Sequence, residues 1–150
     1  MTLSRREFMA VSAGVATFVS VGSIAGPAMA ANDSADLIAA FTGGAEPAMG
    51  RIDLTAPEIA ENGNTVPVEV SVESPMTADD HVAAVMILAV GNPRPGVATF
   101  KFSDMSGEAL ASTRIRLAQT QDVIAIAKLE DGTFHRASQE VKVTIGGCGG

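Results

Sequence analysis

The only cysteine of this 150-residue chain, Cys148, lies between two glycine pairs at the carboxyl terminus. The last five residues read GGCGG, and a strand-like segment before them ends at Ile145. Glycine has no side chain to pack, and it loses more conformational freedom than any other residue when it is fixed. We therefore predict a flexible arm over residues 146–150, whose glycines are Gly146, Gly147, Gly149 and Gly150.

Four roles are open to a lone thiol in this position. A buried structural cysteine is disfavoured, because the flanking glycines offer nothing to bury it. A metal site needs three or four ligands, and His81 and His135 lie far apart in sequence and add too few, so we expect both to be ordinary surface or strand residues and no metal to be bound. The third role is an intermolecular disulfide, and the fourth is a covalent carrier.

The carrier role is favoured because the arm lacks the groups that would activate Cys148 as a catalytic thiol. It supplies no histidine, lysine or helix N-terminus to lower the pKa of the thiol below its ordinary value of about 8.5, and the terminal carboxylate would raise it. Cys148 is therefore expected to be a covalent attachment point that visits other enzymes, with no catalytic residue in this chain. The alternative is an exported binding or structural domain that Cys148 cross-links. Ubiquitin-like sulfur carriers also end in Gly-Gly, but they are activated with ATP, which an exported protein does not meet.

The amino terminus predicts export. Paired arginines, Arg5 and Arg6, precede an apolar run over 11–25 that is too short and too polar to span a membrane. This pattern is typical of a twin-arginine signal peptide. Small residues place the cleavage site between Ala30 and Ala31, so residues 1–30 are predicted to be removed. We expect a periplasmic protein that is exported folded and has no stable association with the membrane.

Charge and length restrict the remaining functions. The chain has a formal net charge of −7, which disfavours nucleic acid as a partner because a phosphate backbone requires clustered lysine and arginine. About 120 residues remain after the predicted cleavage, enough for one domain with a core of its own. We place this domain at residues 31–145.

Alternating hydrophobicity dominates this domain. A short helix is predicted near 34–41, with Asp33 or Ser34 as its N-cap and Gly43 as its stop. A short strand is expected near 51–54, and Asp131 with the glycine after it signals a hairpin. The other strand-like segments, with period-two or continuous apolar patterns, are 65–73, 81–90, 98–104, 112–119, 123–129 and 140–145.

These seven segments predict an all-β fold, an immunoglobulin-like antiparallel β-sandwich, with a small barrel as the competitor. In the last segment, Val141, Val143 and Ile145 are expected to face inward. Arg114 and Arg116 alternate along another segment, either as a solvated strand face, the commoner case, or to meet an anionic partner or substrate. An exposed sheet edge is expected to form the partner surface.

The chain resembles the SoxY family of the periplasmic sulfur-oxidising (Sox) system. The resemblance lies in GNTVPVEVSVESPM at 63–76, in NPRPGVATFKFSDMSGEALASTRIRLAQTQDVIAIAKLEDG at 92–132, and above all in VKVTIGGCGG at 141–150 behind the twin-arginine leader. It implies the immunoglobulin-like sandwich. It also implies that Cys148 carries thiosulfate as a cysteine S-thiosulfonate, which is hydrolysed to sulfate and leaves a persulfide that is oxidised on the same arm.

The resemblance further implies the partners. The family forms a heterodimer with SoxZ, a smaller β-sandwich protein without its own signal, which would travel with this chain. Transient partners would be a cytochrome-type enzyme that conjugates thiosulfate, a hydrolase that releases sulfate and a sulfane dehydrogenase. No cofactor is implied beyond the sulfur intermediates on Cys148.

Overall fold

The computed structural model describes residues 33–146. The predicted signal peptide with Arg5 and Arg6, the predicted cleavage site between Ala30 and Ala31, and residues 147–150 lie outside the described residues. Within them the elements are α1 (Ser34–Thr42), β1 (Ala48–Met49), β2 (Ile52–Thr55), β3 (Ile59–Ala60), β4 (Val66–Val72), β5 (Val82–Ala89), β6 (Gly96–Lys101), a 3-10 turn (Asp104–Ser106), β7 (Ala109–Ile115), β8 (Gln121–Leu129) and β9 (Phe134–Val143).

The strands form two sheets. The large sheet has the order β1-β9-β8-β5-β6, with β3 also paired to β9, and the small sheet has the order β2-β4-β7. The short strands β1 and β3 run parallel to β9, and all other pairs are antiparallel. The prediction of an immunoglobulin-like β-sandwich is therefore confirmed, and the competing barrel is wrong because the strands divide between two sheets.

The main core lies between the two sheets. In β4, Val66, Val68 and Val70 are at most 1% exposed, whereas Pro67 and Glu69 between them face solvent. Successive side chains of a strand point to opposite faces, so this alternation buries one face of the small sheet. The opposing face comes from β5, β8 and β9 of the large sheet.

The helix covers the other face of the large sheet. Leu37, Ile38 and Phe41 pack on a second apolar cluster that includes Leu88 of β5 and Ile126 of β8. Both faces of β5 and β8 are therefore buried, which explains why their sequences are continuously apolar instead of alternating. The helix ends as predicted at Gly43, whose φ of 64° is left-handed.

The structure differs from the sequence prediction at several places, including the ends of β7, which spans Ala109–Ile115 instead of 112–119. The short strands β1 and β3 were not predicted, because two residues carry no periodic signal and their pairing depends on distant β9. β9 begins at Phe134, six residues before the predicted segment. The expectation that Ile145 faces inward is wrong: its side chain is 67% exposed, because the chain leaves the large sheet after Val143.

Candidate functional site

The root of the predicted arm, residues 144–146, is held against the domain by hydrogen bonds. The Thr144 N–H donates to the carbonyl oxygen of Ala60 at 3.1 Å, and the Thr144 hydroxyl donates to that of Glu61 at 3.0 Å. The N–H of Gly63 donates to the carbonyl oxygen of Ile145 at 2.8 Å. The chain is thus fixed as far as Ile145, which defines the starting point of any motion of the arm.

Gly146, the first arm glycine, lies directly over the connection between β7 and β8. A Cβ added to Gly146 would clash with the backbone carbonyl oxygen of Ala118. A backbone oxygen cannot rotate away as a side chain can, so any larger residue at position 146 must displace the root. Glycine is therefore required at position 146 because the backbone of Ala118 is so close, in addition to the predicted flexibility of the arm. Cys148 and its other flanking glycines, Gly147, Gly149 and Gly150, lie outside the described residues.

The connection beneath Gly146 is itself fixed. Leu117 is fully buried, and its N–H donates to the carbonyl oxygen of Gly63 at 2.7 Å. The hydroxyl of Thr120 accepts a hydrogen bond from the N–H of Val143 at 3.0 Å. The arm root and the β7–β8 connection therefore form one hydrogen-bonded unit at this end of the sandwich.

The side chain of Asn92 ties this unit to the turn between β5 and β6. Its Oδ1 accepts hydrogen bonds from the N–H of Ala118 and from Nε2 of Gln121, both at 2.9 Å, and its Nδ2 donates to the carbonyl oxygen of Arg116 at 2.7 Å. Gln121 is only 7% exposed, and its Oε1 accepts from the N–H of Gly91 at 2.7 Å. We call these interactions the Asn92 clamp. Sequence analysis missed it, because its partners lie more than twenty residues apart.

A small cleft lies beside the arm root. It has a volume of about 110 Å³ and is lined by Asn92, Pro93, Arg94, Arg116 and Ala118. Both arginines are exposed, and within residues 33–146 neither guanidinium has an ion pair or a hydrogen bond. The cleft therefore presents two unpaired positive charges in a chain of net charge −7.

Arg114 and Arg116 are both exposed, but they do not share the face of one strand. Arg114 lies within β7, opposite Pro67 of β4, whereas Arg116 follows the end of that strand. The residue that accompanies Arg116 in the cleft is Arg94, from the NPRPG turn.

The two histidines lie away from the arm root. His135 is near the start of β9 and His81 just before β5. The Nδ1 atom of His135 is buried without a hydrogen-bond partner among the described residues, and Nε2 of His81 lies 3.5 Å from a carboxylate oxygen of Glu130. β9 spans ten residues, about 30 Å at 3.3 Å per residue, so His135 is at the opposite end of this strand from the arm.

A wider cavity of about 530 Å³ adjoins His135, and Arg51 and Asp131 also line it. The side-chain and backbone hydrogen bonds from Thr133 lower the pKa of the Asp131 carboxyl below its ordinary value of 3.8, and Arg51 and His135 add smaller effects in the same direction. Within residues 33–146, no group of three or more histidine, cysteine, aspartate or glutamate side chains is placed to hold a metal ion. Among the same residues, no helix is long and apolar enough to cross a membrane.

The comparison with protein families decides which family these features belong to. The family described as "Sulfur oxidation protein SoxY" matches residues 38–148, a range that ends on the cysteine. The chain belongs to the SoxY family. The resemblance seen in the sequence is thereby confirmed, and membership gives this chain a role in sulfur oxidation within the Sox system.

Solved structures agree with this assignment. The sulfur carrier protein SoxY from Chlorobium limicola f thiosulfatophilum is 35% identical with a TM-score of 0.61, and the match covers 74% of this chain and 96% of that one. A superoxide reductase (neelaredoxin) from Ignicoccus hospitalis is 20% identical with a TM-score of 0.56, over 63% of this chain and 80% of that one. This second similarity concerns the fold alone. A comparison with curated protein sequences finds no match.

Proposed function

We propose that this chain is a non-catalytic sulfur carrier, in which Cys148 holds thiosulfate-derived intermediates and presents them to partner enzymes of the Sox system. The observation that carries the proposal is the extent of the family match, which runs from residue 38 through Cys148. The matched range includes Cys148, the sole cysteine of the chain. The sulfur carrier SoxY of Chlorobium limicola, 35% identical, supports the same role.

The anchored root supports an arm that is short and begins at a defined place. Within residues 33–146, the last hydrogen bond between the arm root and the domain is the one to Ile145, and only Gly146 and Gly147 separate Ile145 from Cys148. The Cα atom of Cys148 therefore lies within about 7 Å of that of Gly146, at 3.3 to 3.6 Å per residue. Glycines on both sides leave the thiol as the only side chain that must enter an enzyme's active site.

In the proposed chemistry every intermediate stays attached to the cysteine sulfur. Conjugation joins the Cys148 sulfur to the outer sulfur of thiosulfate, giving Cys–S–S–SO₃⁻; the thiol proton goes to solvent and two electrons go to the cytochrome-type enzyme. Water then cleaves the bond to the sulfonate sulfur, releasing hydrogen sulfate and leaving the persulfide Cys–S–SH. The sulfane dehydrogenase accepts the electrons when that remaining sulfur is oxidised, and water supplies the oxygens. The partners supply all catalytic groups, and this chain supplies the attachment point without a cofactor.

The same proposal includes the setting in which the carrier works. Arg5 and Arg6 direct export of the folded domain by the twin-arginine pathway, and cleavage between Ala30 and Ala31 leaves it in the periplasm. A SoxZ-like subunit pairs with it before export. Folded export supports this order, because a subunit without its own signal can leave the cytoplasm only when it is already bound.

Replacing the thiol tests the proposal. Cys148→Ser should leave folding and association with SoxZ intact while abolishing thiosulfate-dependent respiration in the reconstituted system. Met105→Ser is a matched control, because Met105 is a sulfur-containing side chain that is 90% exposed elsewhere on the surface, and this variant should retain full activity. Turnover by Cys148→Ser would refute the carrier role. A cysteine found only in a dimer that reduction separates would instead support the cross-linked structural domain.

A further inference from the structure

We propose that the cleft between Arg94 and Arg116 is a binding site for a sulfur oxyanion, and that the sulfonate end of the intermediate on Cys148 docks there between visits to partner enzymes. The inference rests on the proposed function, because that function supplies the anion. It goes further because it assigns the recognition of the intermediate to two residues outside the arm. It also predicts that the cleft binds the thiosulfonate intermediate and not the persulfide.

The charge of the cleft suits such a ligand. The guanidiniums of Arg94 and Arg116 are exposed, and within the described part of the chain no carboxylate neutralises either one. Each guanidinium presents five N–H donors in a planar fork that matches the oxygens of an oxyanion. On a chain of net charge −7, Arg94 and Arg116 place two positive charges beside the arm root.

The cleft is also preorganised. The Asn92 clamp uses both the oxygen and the nitrogen of the side-chain amide to fix the backbone of Arg116 and Ala118. Proline residues on both sides of Arg94 restrict the turn that carries it. Binding at such a site loses less conformational entropy than binding at two mobile loops. The arginine side chains are then the main groups left to order.

The size of the cleft fits one sulfonate group. Its volume of about 110 Å³ leaves room for one small group with a few oxygens. A sulfonate brings three oxygens on one sulfur, a group of comparable bulk. The persulfide left after hydrolysis lacks those oxygens, so the cleft should hold the thiosulfonate arm and release the persulfide arm.

The arm is attached at the right place to reach the cleft. Ala118 lines the cleft and is also the residue over which Gly146 lies. The Cα atom of Cys148 is within about 7 Å of that of Gly146, and the disulfane chain of the adduct extends further. A short flexible tether gives an effective concentration in the millimolar range. A millimolar intrinsic affinity therefore leaves the arm docked for about half of the time and still available to enzymes.

Nuclear magnetic resonance of the ¹⁵N-labelled full chain tests this docking. Tetrathionate loads the single cysteine, because the thiolate attacks one of its central sulfurs, forms the thiosulfonate and expels thiosulfate. Iodoacetamide gives a neutral adduct of the same cysteine as a control. Loading with tetrathionate should shift the signals of Arg94, Arg116 and Ala118, whereas the neutral adduct should leave them in place.

Matched variants identify the groups responsible. Arg94→Gln with Arg116→Gln should abolish the shifts at Ala118, and Arg114→Gln should preserve them, because Arg114 is an exposed arginine of β7 that does not line the cleft. Shifts of equal size in the double variant would overturn the proposal. So would loaded wild-type protein whose cleft signals match those of the neutral adduct.

A titration with free thiosulfate distinguishes binding of an anion from solution from docking of the sulfonate attached to Cys148. Titrated into Cys148→Ser, it should shift the same cleft signals with a millimolar dissociation constant, weakened at least tenfold by the double glutamine variant. Shifts with free thiosulfate but none with the loaded arm would overturn docking of the tethered cargo. If docking fails in any of these experiments, Cys148 can still be loaded and turn over. Failure of docking is therefore distinguishable from failure of the carrier function, which the Cys148→Ser assay measures.

Discussion

The Asn92 clamp carries a prediction about the architecture of the site. Asn92→Ala removes an acceptor shared by the N–H of Ala118 and by Nε2 of Gln121, and a donor to the carbonyl oxygen of Arg116, at distances of 2.7 to 2.9 Å. The NPRPG turn and the β7–β8 connection then lose their direct side-chain link. The substitution should lower the free energy of unfolding of the domain and displace the residues that line the cleft.

The size of the effect follows from these three bonds. A hydrogen bond contributes about 0.5–1.5 kcal/mol net, and a donor left without a partner costs more. Solvent reaches part of this region and can replace some of the lost bonds, so we expect Asn92→Ala to lower the free energy of unfolding by about 2–3 kcal/mol. At about 4 °C per kcal/mol for a domain of this size, the melting temperature should fall by about 10 °C.

Circular dichroism during urea and thermal unfolding is the suitable assay, because the chain contains no tryptophan and no tyrosine for fluorescence. Asn64→Ala is the matched control. Asn64 is exposed, and its side chain makes no hydrogen bond to another described residue, so this variant should lose less than about 0.5 kcal/mol. Equal losses for the two variants would refute the structural role assigned to the clamp.

Two further predictions concern the arm root and the far end of β9. Gly146→Ala should displace the arm root and lose the hydrogen bond from Gly63 to Ile145, which lowers the free energy of unfolding by about 1 kcal/mol. Gly96→Ala is the control, since its Cβ would meet only the Leu37 side chain at 3.3 Å. Equal destabilisation by the two substitutions would contradict the argument that position 146 requires glycine because of the close backbone approach. Thr133→Val should raise the pKa of Asp131 toward 3.8 by removing its hydroxyl hydrogen bond. Because the folded-state pKa of Asp131 is depressed, its contribution to stability is present above pH 3.8 and is lost as the pH falls through the folded value, so the variant should lose less on acidification. Titration of the Asp131 carboxyl carbon by nuclear magnetic resonance measures the pKa, and an unchanged value in the variant would refute the stated cause.

The elements that sequence analysis predicted are those with a local pattern. The alternating valines of β4 and the N-cap and glycine stop of α1 are signals within a few residues. The continuous apolar runs of β5 and β8 were assigned correctly as strands, although the reason that they are continuously apolar, the helix packed on the outer face of the large sheet, is a tertiary contact. By contrast, β1 and β3 exist only because β9 pairs with them.

The functional site likewise has parts that a local sequence pattern predicts and parts that depend on tertiary contacts. Cys148 was singled out because it is unique and lies among glycines, which the sequence states directly. The Asn92 clamp was missed because it joins residues more than twenty positions apart. The arginine that lines the same cleft as Arg116 is Arg94, whereas Arg114 does not line it. No local pattern encodes such contacts. The constraint on Gly146 likewise depends on the carbonyl oxygen of Ala118.

The mass of the carboxyl-terminal peptide tests the central claim most directly. The protein would be purified from cells growing on thiosulfate, without reductant, and its Cys148 peptide analysed intact. A carrier should show additions of sulfur, sulfite or thiosulfate on that peptide, and none on the same peptide of Cys148→Ser. A peptide found only as the free thiol, or only in a disulfide-linked dimer that reduction separates, would contradict the account.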